Sequence, residues 1–453
     1  MPNLTQLRLA AREIFDETLN ADDPGAAVRL SARLVESQLN LCDVTIDIGN
    51  RKIYSVAIGK AAFTMAYGLE QVLGESLTEG LMSGPISPGS KERPAGKLSN
   101  RWRVCEGSHP LPTQTSLTAA KAAFKLLQRA NEERALIIFL ISGGGSAMLE
   151  WPIDDHIDLT DLRSANEALV NCGASISEIN AVRRAFSAVK GGRLAERAPN
   201  CDQITLIVSD VPKGEERNVA SGPTLEPPDD APSAPAVISE YGLRVRLPQT
   251  ILRAIEASAP STESASISLR RHFVLLDNHS ALEFAAEAAR QRGFTIERAS
   301  DIADQPIAEG CRQLFDRLDT LRTQARSTHS NETNAVCLIS GGEFACPVRG
   351  EGLGGRNLET ALRLAAEQRP SSSAPFIALC AGTDGIDGNS PAAGAIVDST
   401  TMERAGTIGL DPQAFLDGSN AYSFFVALGD TIATGATGTN VRDIRILLAG
   451  LLS

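Results

Sequence analysis

Twice in this chain an apolar run passes without interruption into Ser-Gly-Gly: Leu140-Ile141-Ser142-Gly143-Gly144 and Leu338-Ile339-Ser340-Gly341-Gly342. Such a run reads as a strand buried on both faces, and glycine at its end lets the backbone turn and approach an anion closely. The form recurs with other punctuation. Ile53 to Ile58 runs into Gly59-Lys60 and a helical pattern from Ala61 to Leu73; Ile204 to Val208 ends in Ser209-Asp210; Phe376 to Cys380 ends in a Gly-rich acidic loop. Apolar strands that end in polar turns and lead into helices specify an α/β fold, with chemistry expected outside the carboxyl ends of the strands.

A chain of 453 residues exceeds one ordinary domain of roughly 100 to 200. The best boundary signal is the Pro-rich, acidic stretch Leu225 to Ala236, which predicts an N-terminal α/β domain over 1–240 and a C-terminal one over 241–453. Helical spacing is read over Leu4 to Leu19, Ala26 to Leu39, Thr115 to Glu132, Leu159 to Leu169, Ser177 to Val189, Thr250 to Ser258, Ser280 to Arg292 and Ile307 to Ala325. Strands are read at Leu136 to Ile141, His272 to Leu276 and Ala335 to Ile339, and a final helix, able to pack back on the first domain, after the Gly/Thr-rich segment ending at Asp443.

Charge and cysteine content exclude several classes. A formal charge of -12 argues against a nucleic-acid partner held by a general basic field. No apolar run approaches the roughly 18 residues of a membrane span, and the opening residues lack the order of a signal peptide, so a cytoplasmic, membrane-free protein is expected. The eight cysteines are scattered without a CxxC pair, which signals neither a zinc site nor a disulfide framework. The oligomeric state is open, a homodimer included.

Five clusters carry candidate chemistry. In SGGGSA, Gly143, Gly144, Gly145 and Ser146 offer backbone N–H groups to a phosphate or carboxylate, where one glycine would suffice for a plain turn. Lys60 is placed to put a point charge on a substrate anion, with an ordinary surface lysine equally compatible; the same holds for His109, Lys190 and Arg193. Gly350 to Gly355 fits GxGxxG, but the preceding Ala345-Cys346-Pro347-Val348 is no clean buried strand. A loop of Gly354 and Gly355 that presents Arg356 and Asn357 to an anion is therefore preferred to a dinucleotide fingerprint. Asp384 and Asp387, in GTDGIDG, suit Mg²⁺ or acceptance of a hydroxyl proton, with an Asx-type turn as the alternative. Thr434 to Asp443, including Asn440, suits a loop folded over a polar ligand, with an ordinary capped helix start as the alternative; no GxxxxGK[ST] occurs.

Taken together, AIGKAA, GSHPLP, LISGGGSAML, ISEINAVRRAFSAVKGGRLA, SDV with SGPT, LISGGE, GEGLGGRN, AGTDGIDG and GDTIATGATGTNVRD resemble, in order and over nearly the whole chain, the class II glycerate 2-kinase family with its MOFRL domain. Relatives have often been labelled hydroxypyruvate reductases. The resemblance implies two Rossmann-like α/β domains with an interdomain active-site cleft, and transfer of the γ-phosphoryl group of ATP to D-glycerate, with Mg²⁺, giving 2-phosphoglycerate. It implies Lys60 and Arg356 as the catalytic pair, joined by Asp384. Gly143 to Ser146, His109, Lys190, Asp210, Glu343, Gly354, Gly355, Asn357 and Asn440 are implied as ligand-binding, and Asp387 with Asp210 as metal ligands. Alternatives are an NAD(P)H-dependent hydroxypyruvate reductase and a catalytically silent binder of nucleotide or sugar acid. The chain departs from the family pattern at Ala185, where histidine is common, and at Leu358, Asn389-Ser390-Pro391 and Ala421. These departures bear on substrate contacts more than on reaction class.

Overall fold

Short β-rich runs that are apolar at nearly every position, such as Ile53–Ile58 and Leu136–Ser142, suit a strand covered on both faces, and each is buried throughout. A computed structural model describes residues 3–86, 96–107, 109–257, 268–328, 335–367 and 375–451. These form two compact units. One runs from residue 24 to 275; the other combines residues from 276 onward with the N-terminal 23.

The first unit contains a six-stranded sheet in the order Trp102–Glu106, Leu77–Gly84, Ile53–Ile58, Leu136–Ser142, Asp202–Val208, Arg270–Leu276. Its first five strands run parallel. Sequence order reverses between Ile53–Ile58 and Leu136–Ser142, so the crevice between their ends is the switch point of a doubly wound sheet. The expected helices Ala62–Leu73 and Gln114–Glu132 flank it.

The second unit also has a six-stranded sheet, in the order Thr295–Arg298, Ala335–Gly342, Asp443–Gly450, Phe376–Gly382, Gly394–Asp398, Thr431–Ile432. It is mixed rather than parallel, because Asp443–Gly450 runs antiparallel to both of its neighbours. One face, with Val336, Leu338, Ala378 and Leu447, shares a core with Leu314, Leu318, Leu358 and Leu362 of the helices Ile307–Thr328 and Arg356–Ala366. The α/β class is thus present in both halves, one of them departing from the parallel Rossmann pattern.

Four expectations need correction. The final segment is not a helix: Asp443–Gly450 is a fully buried central strand. An apolar run such as Ile446 to Leu448 has no period that separates buried strand from buried helix. Ala26 to Leu39 is not one helix either; Pro24–Ser31 is helical, and Ala32–Val35, Gln38–Leu41 and Val44–Asp47 form an antiparallel meander. Its two-residue turns place Glu36 and Cys42 at φ of 55° and 53°, where Asn or Gly would have announced a hairpin.

The boundary at 240/241 is also displaced. Val237 and Ile238 beyond the Pro-rich stretch, with Ile251 and Leu252, share one core with Ile179, Val182 and Phe186, so that stretch is a loop inside the first unit. The Arg270–Leu276 strand still belongs to the first sheet. Lastly, the N-terminal helix Leu4–Ala21 belongs to the second unit, where Leu7, Ile14 and Phe15 are buried and Arg8 pairs with Asp398 and Asp430.

Candidate active site

At the switch point of the first unit the backbone itself is packed to contact. A methyl group on Gly59, whose φ is +113°, would lie 2.4 Å from both the carbonyl and hydroxyl oxygens of Ser142. Only glycine lets the two strand ends meet there. The Ser142 hydroxyl accepts from Ala61 N at 3.0 Å, and Lys60 N donates to the Gly143 carbonyl at 2.9 Å. The Lys60 side chain passes over Gly144, a methyl on which would lie 3.3 Å from Lys60 Cγ and from His109 Cδ2. Gly143 faces Asp210, whose carboxylate would stand 1.9 Å from an added methyl. Lys60, His109, Gly143, Gly144 and Asp210 therefore meet at one place, as their positions after strand ends imply.

The helix that follows the glycines, Gly145–Met148, is a single turn. Any anion held here is held by loop N–H groups, because one turn carries little macrodipole. Ser146 shares a hydrogen bond of 3.0 Å with Ser221, which donates to Asn180 at 2.7 Å.

Lys190 does not reach this opening. It is 1% exposed, pairs with Glu150 and donates to the Ser146 carbonyl at 3.1 Å. Glu150 in turn accepts from Ser187 Oγ at 2.6 Å and Trp151 N at 3.0 Å. Burial pulls the Lys190 ammonium down from its ordinary range and Glu150 opposes that. The lysine expected to contact ligand thus supports the SGGGSA loop from behind.

In the second unit the Gly350 to Gly355 segment is not a strand-to-helix turn. It begins well after the Ala335–Gly342 strand has ended, and it folds onto Gly418 and Asn420, with Gly352 N donating to the Gly418 carbonyl at 3.1 Å. Its outcome is to deliver Arg356 as the first residue of Arg356–Ala366. The guanidinium is clamped between two carboxylates, Glu343 Oε1 at 2.6 Å from Nη2 and Asp443 Oδ2 at 2.5 Å from Nε. Burial alone would work against its charge, but Asp443 and Glu343 outweigh that and push the pKa up. Asn357 Nδ2 donates to Asp443 at 2.9 Å.

Asp443 lies at the end of the Gly/Thr-rich cluster, but its role as the partner of Arg356 was not legible in the motif. It sits directly across the sheet from Gly342 on one side and Gly382 on the other, a pairing that follows only from the unexpected final strand.

Asp387, expected as a metal ligand, is engaged by main-chain donors. Its two oxygens accept from the backbone N–H groups of Asn357 at 3.1 Å and Leu358 at 2.8 Å, capping the helix that Arg356 begins. Gly355, which has no side chain to cap with, makes room for it. The Asx-type alternative is realised at Asp384 instead: it is partly exposed, and its Oδ1 accepts from Ile386 N, two residues on, at 3.2 Å. Asn440 is 8% exposed and holds the chain near Arg442, whose N lies 3.4 Å from its side-chain oxygen.

Burial, with Asp443 close by, pushes Asp387 up to about 7 against its helix N–H bonds and Arg356. Between the unfolded value of about 3.9 and the folded one, the folded state holds a proton that the unfolded chain releases. Stability should therefore fall as pH rises through that window, by up to about 1.4 kcal/mol per unit, and level off above pH 7. Urea midpoints of Asp387→Asn from pH 5 to 8 should decline less steeply than wild type. An unchanged slope would show Asp387 ionised across the range.

Residues 10–256 match the family described as a domain of unknown function (DUF4147), and residues 336–443 match the MOFRL family. The D-glycerate 2-kinase of Thermotoga maritima is 32% identical over 97% of this chain and 98% of its own. The chain belongs to the class II glycerate 2-kinase family. A protein of Agrobacterium vitis named putative hydroxypyruvate reductase is 34% identical over 99% of this chain and 96% of its own, so both names occur within one family. The crystal structure of a glycerate kinase from Thermotoga maritima superposes with a TM-score of 0.79 at 30% identity, covering 98% of this chain and 99% of that one. Lys60 and Arg356 each stand at a strand-end site of their own unit. No helix among the described residues is long and apolar enough to cross a membrane.

Proposed function

We propose that this chain is a glycerate 2-kinase that uses ATP, with Mg²⁺, to convert D-glycerate to 2-phosphoglycerate. The observation that carries the proposal is Arg356 held charged between Glu343 and Asp443 at a strand end, in a chain similar over its whole length to glycerate kinases. Phosphoryl transfer passes through a loose transition state with charge spread over three oxygens, so positioned cations do most of the work. Lys60 and Arg356 supply them. The 2-hydroxyl oxygen attacks the γ-phosphorus, the bond from that phosphorus to the bridging oxygen breaks, ADP leaves, and the hydroxyl proton goes to Asp384. The N–H groups of Gly144 to Ser146 hold one anion, with His109 and Asn440 bordering the two sites.

Mg²⁺ commonly takes one or two protein carboxylates together with substrate phosphates. Asp210, a partly exposed hard-oxygen donor beside the glycine loop, fits that demand, whereas Asp384 is assigned the proton and Asp387 is engaged by its helix. The ion would neutralise charge on the phosphates.

Incubation with ATP and D-glycerate should release ADP and give a product whose phosphate NMR places on the 2-oxygen. Lys60→Ala should lower kcat by about a hundredfold or more. No phosphorylated glycerate above background would overturn the reading. NADH consumption with hydroxypyruvate instead would transfer the chain to the reductase named among its relatives.

A further inference from the structure

We propose that Arg442 is a positioning residue for Arg356, bracing both carboxylates that clamp it, an assignment that rests on the phosphoryl-transfer reading above. Arg442 has a φ of +73°, in the left-handed region that a long side chain rarely occupies, and it is 7% exposed. Its Nε is buried without a hydrogen-bond partner. A chain that keeps two unfavourable features at one residue is retaining something there.

The backbone turn is the first contribution. Because the chain flips at Arg442, the carbonyls on either side of it converge on one amide: Asn278 Nδ2 donates to Val441 O at 2.7 Å and to Asp443 O at 3.1 Å. The Arg442 carbonyl points the other way, accepting from Thr383 N at 3.0 Å and Thr383 Oγ1 at 2.7 Å. The main chain that carries Asp443 is thus held from both sides. Asn278 also accepts from Gly342 N at 2.9 Å, which joins this segment to the residue before Glu343.

The side chain is the second contribution. Arg442 Nη2 pairs with Asp304 Oδ1, and that oxygen accepts from Glu343 N at 2.9 Å. One residue therefore fixes Asp443 through its main chain and Glu343 through its guanidinium. Between them these carboxylates decide where Arg356 points.

The two contributions separate by mutation. Arg442→Gly keeps the left-handed turn without strain and removes the side-chain pin; Asp304→Ala removes the pin from its other end. Each should reduce kcat by about ten- to a hundredfold, the scale of a catalytic group displaced by an ångström, with KM for ATP and glycerate within about threefold of wild type. Arg442→Lys should recover part of the loss. In a Glu343→Ala background, where residue 343 has no side chain left to reach Arg356, Asp304→Ala should add nothing further. A readout independent of turnover is phenylglyoxal labelling followed by peptide mass spectrometry: Arg356, shielded by two carboxylates, should react several-fold faster in either variant, relative to exposed Arg253. Unchanged labelling of Arg356 in both variants overturns the inference, as does a purely additive double mutant. Absence of kinase turnover in the wild-type protein would instead overturn the functional reading, while the labelling still decides this one.

Discussion

Arg356→Lys is expected to lower kcat by about a thousandfold, almost as far as Arg356→Ala, with the circular dichroism spectrum unchanged. The substitution preserves charge, so the prediction rests on shape. A guanidinium presents donors in a rigid fork, and here Nε and Nη2 face Asp443 and Glu343 while Nη1 has no protein partner among the described residues. That division lets one group be anchored and still reach a transferring phosphoryl oxygen. An ammonium is a single point: drawn to Asp443 it leaves Glu343 and the substrate, and drawn to the substrate it leaves two carboxylates adjacent and unpaired. Loss of one well-placed donor to a developing oxyanion costs about 10²–10³ in rate, and loss of the anchor adds to it. Initial rates of ADP release against ATP and D-glycerate measure it. A kcat within tenfold of wild type would remove Arg356 from the chemistry. Arg356→Ala should also be less stable at pH 8 than at pH 5, because Asp387 then ionises beside the other carboxylates without their cation.

What the sequence made legible follows a physical division. Ile53 to Ile58, Leu136 to Ile141 and Ala335 to Ile339 were readable because a strand buried on both faces has few polar positions to confuse it. Lys60 and Gly143 to Ser146 could be brought together on paper, since strands of one parallel sheet present all their carboxyl ends on the same edge. Partner choice was not legible in this way. That Lys190 would turn inward to Glu150, that Asp387 would cap a helix begun thirty residues earlier and that Asp443 would seize Arg356 are tertiary facts carried by residues far apart in the chain. The Asp443 contact was doubly hidden, because Arg445 inside the final strand obscures its apolar character until it is seen stacked on Phe344, 3.7 Å from the ring centroid.

The second large effect is on stability and falls in the other unit. Glu150→Ala should cost about 3–5 kcal/mol, because it leaves the Lys190 ammonium buried without a counter-charge. Ser187 Oγ and Trp151 N lose their acceptor at the same time. Both tryptophans of the chain, Trp102 and Trp151, lie in this unit, so tryptophan fluorescence during urea unfolding reports it selectively. The pair replaced together, Glu150→Leu with Lys190→Met, should recover most of the loss, since apolar groups of similar volume often replace a buried ion pair at little cost or with a gain. It should not recover activity. Lys190 also donates to the Ser146 carbonyl, and a thioether cannot, so the SGGGSA loop in the double variant loses the tether that fixes its N–H groups. Stability regained with kcat still depressed would mark the pair as support for the loop. Full activity in the double variant would mean that the loop holds its shape through Ser221 and Gly59 alone, and a fluorescence midpoint of Glu150→Ala equal to wild type would mean that Lys190 sheds its proton when the partner is removed.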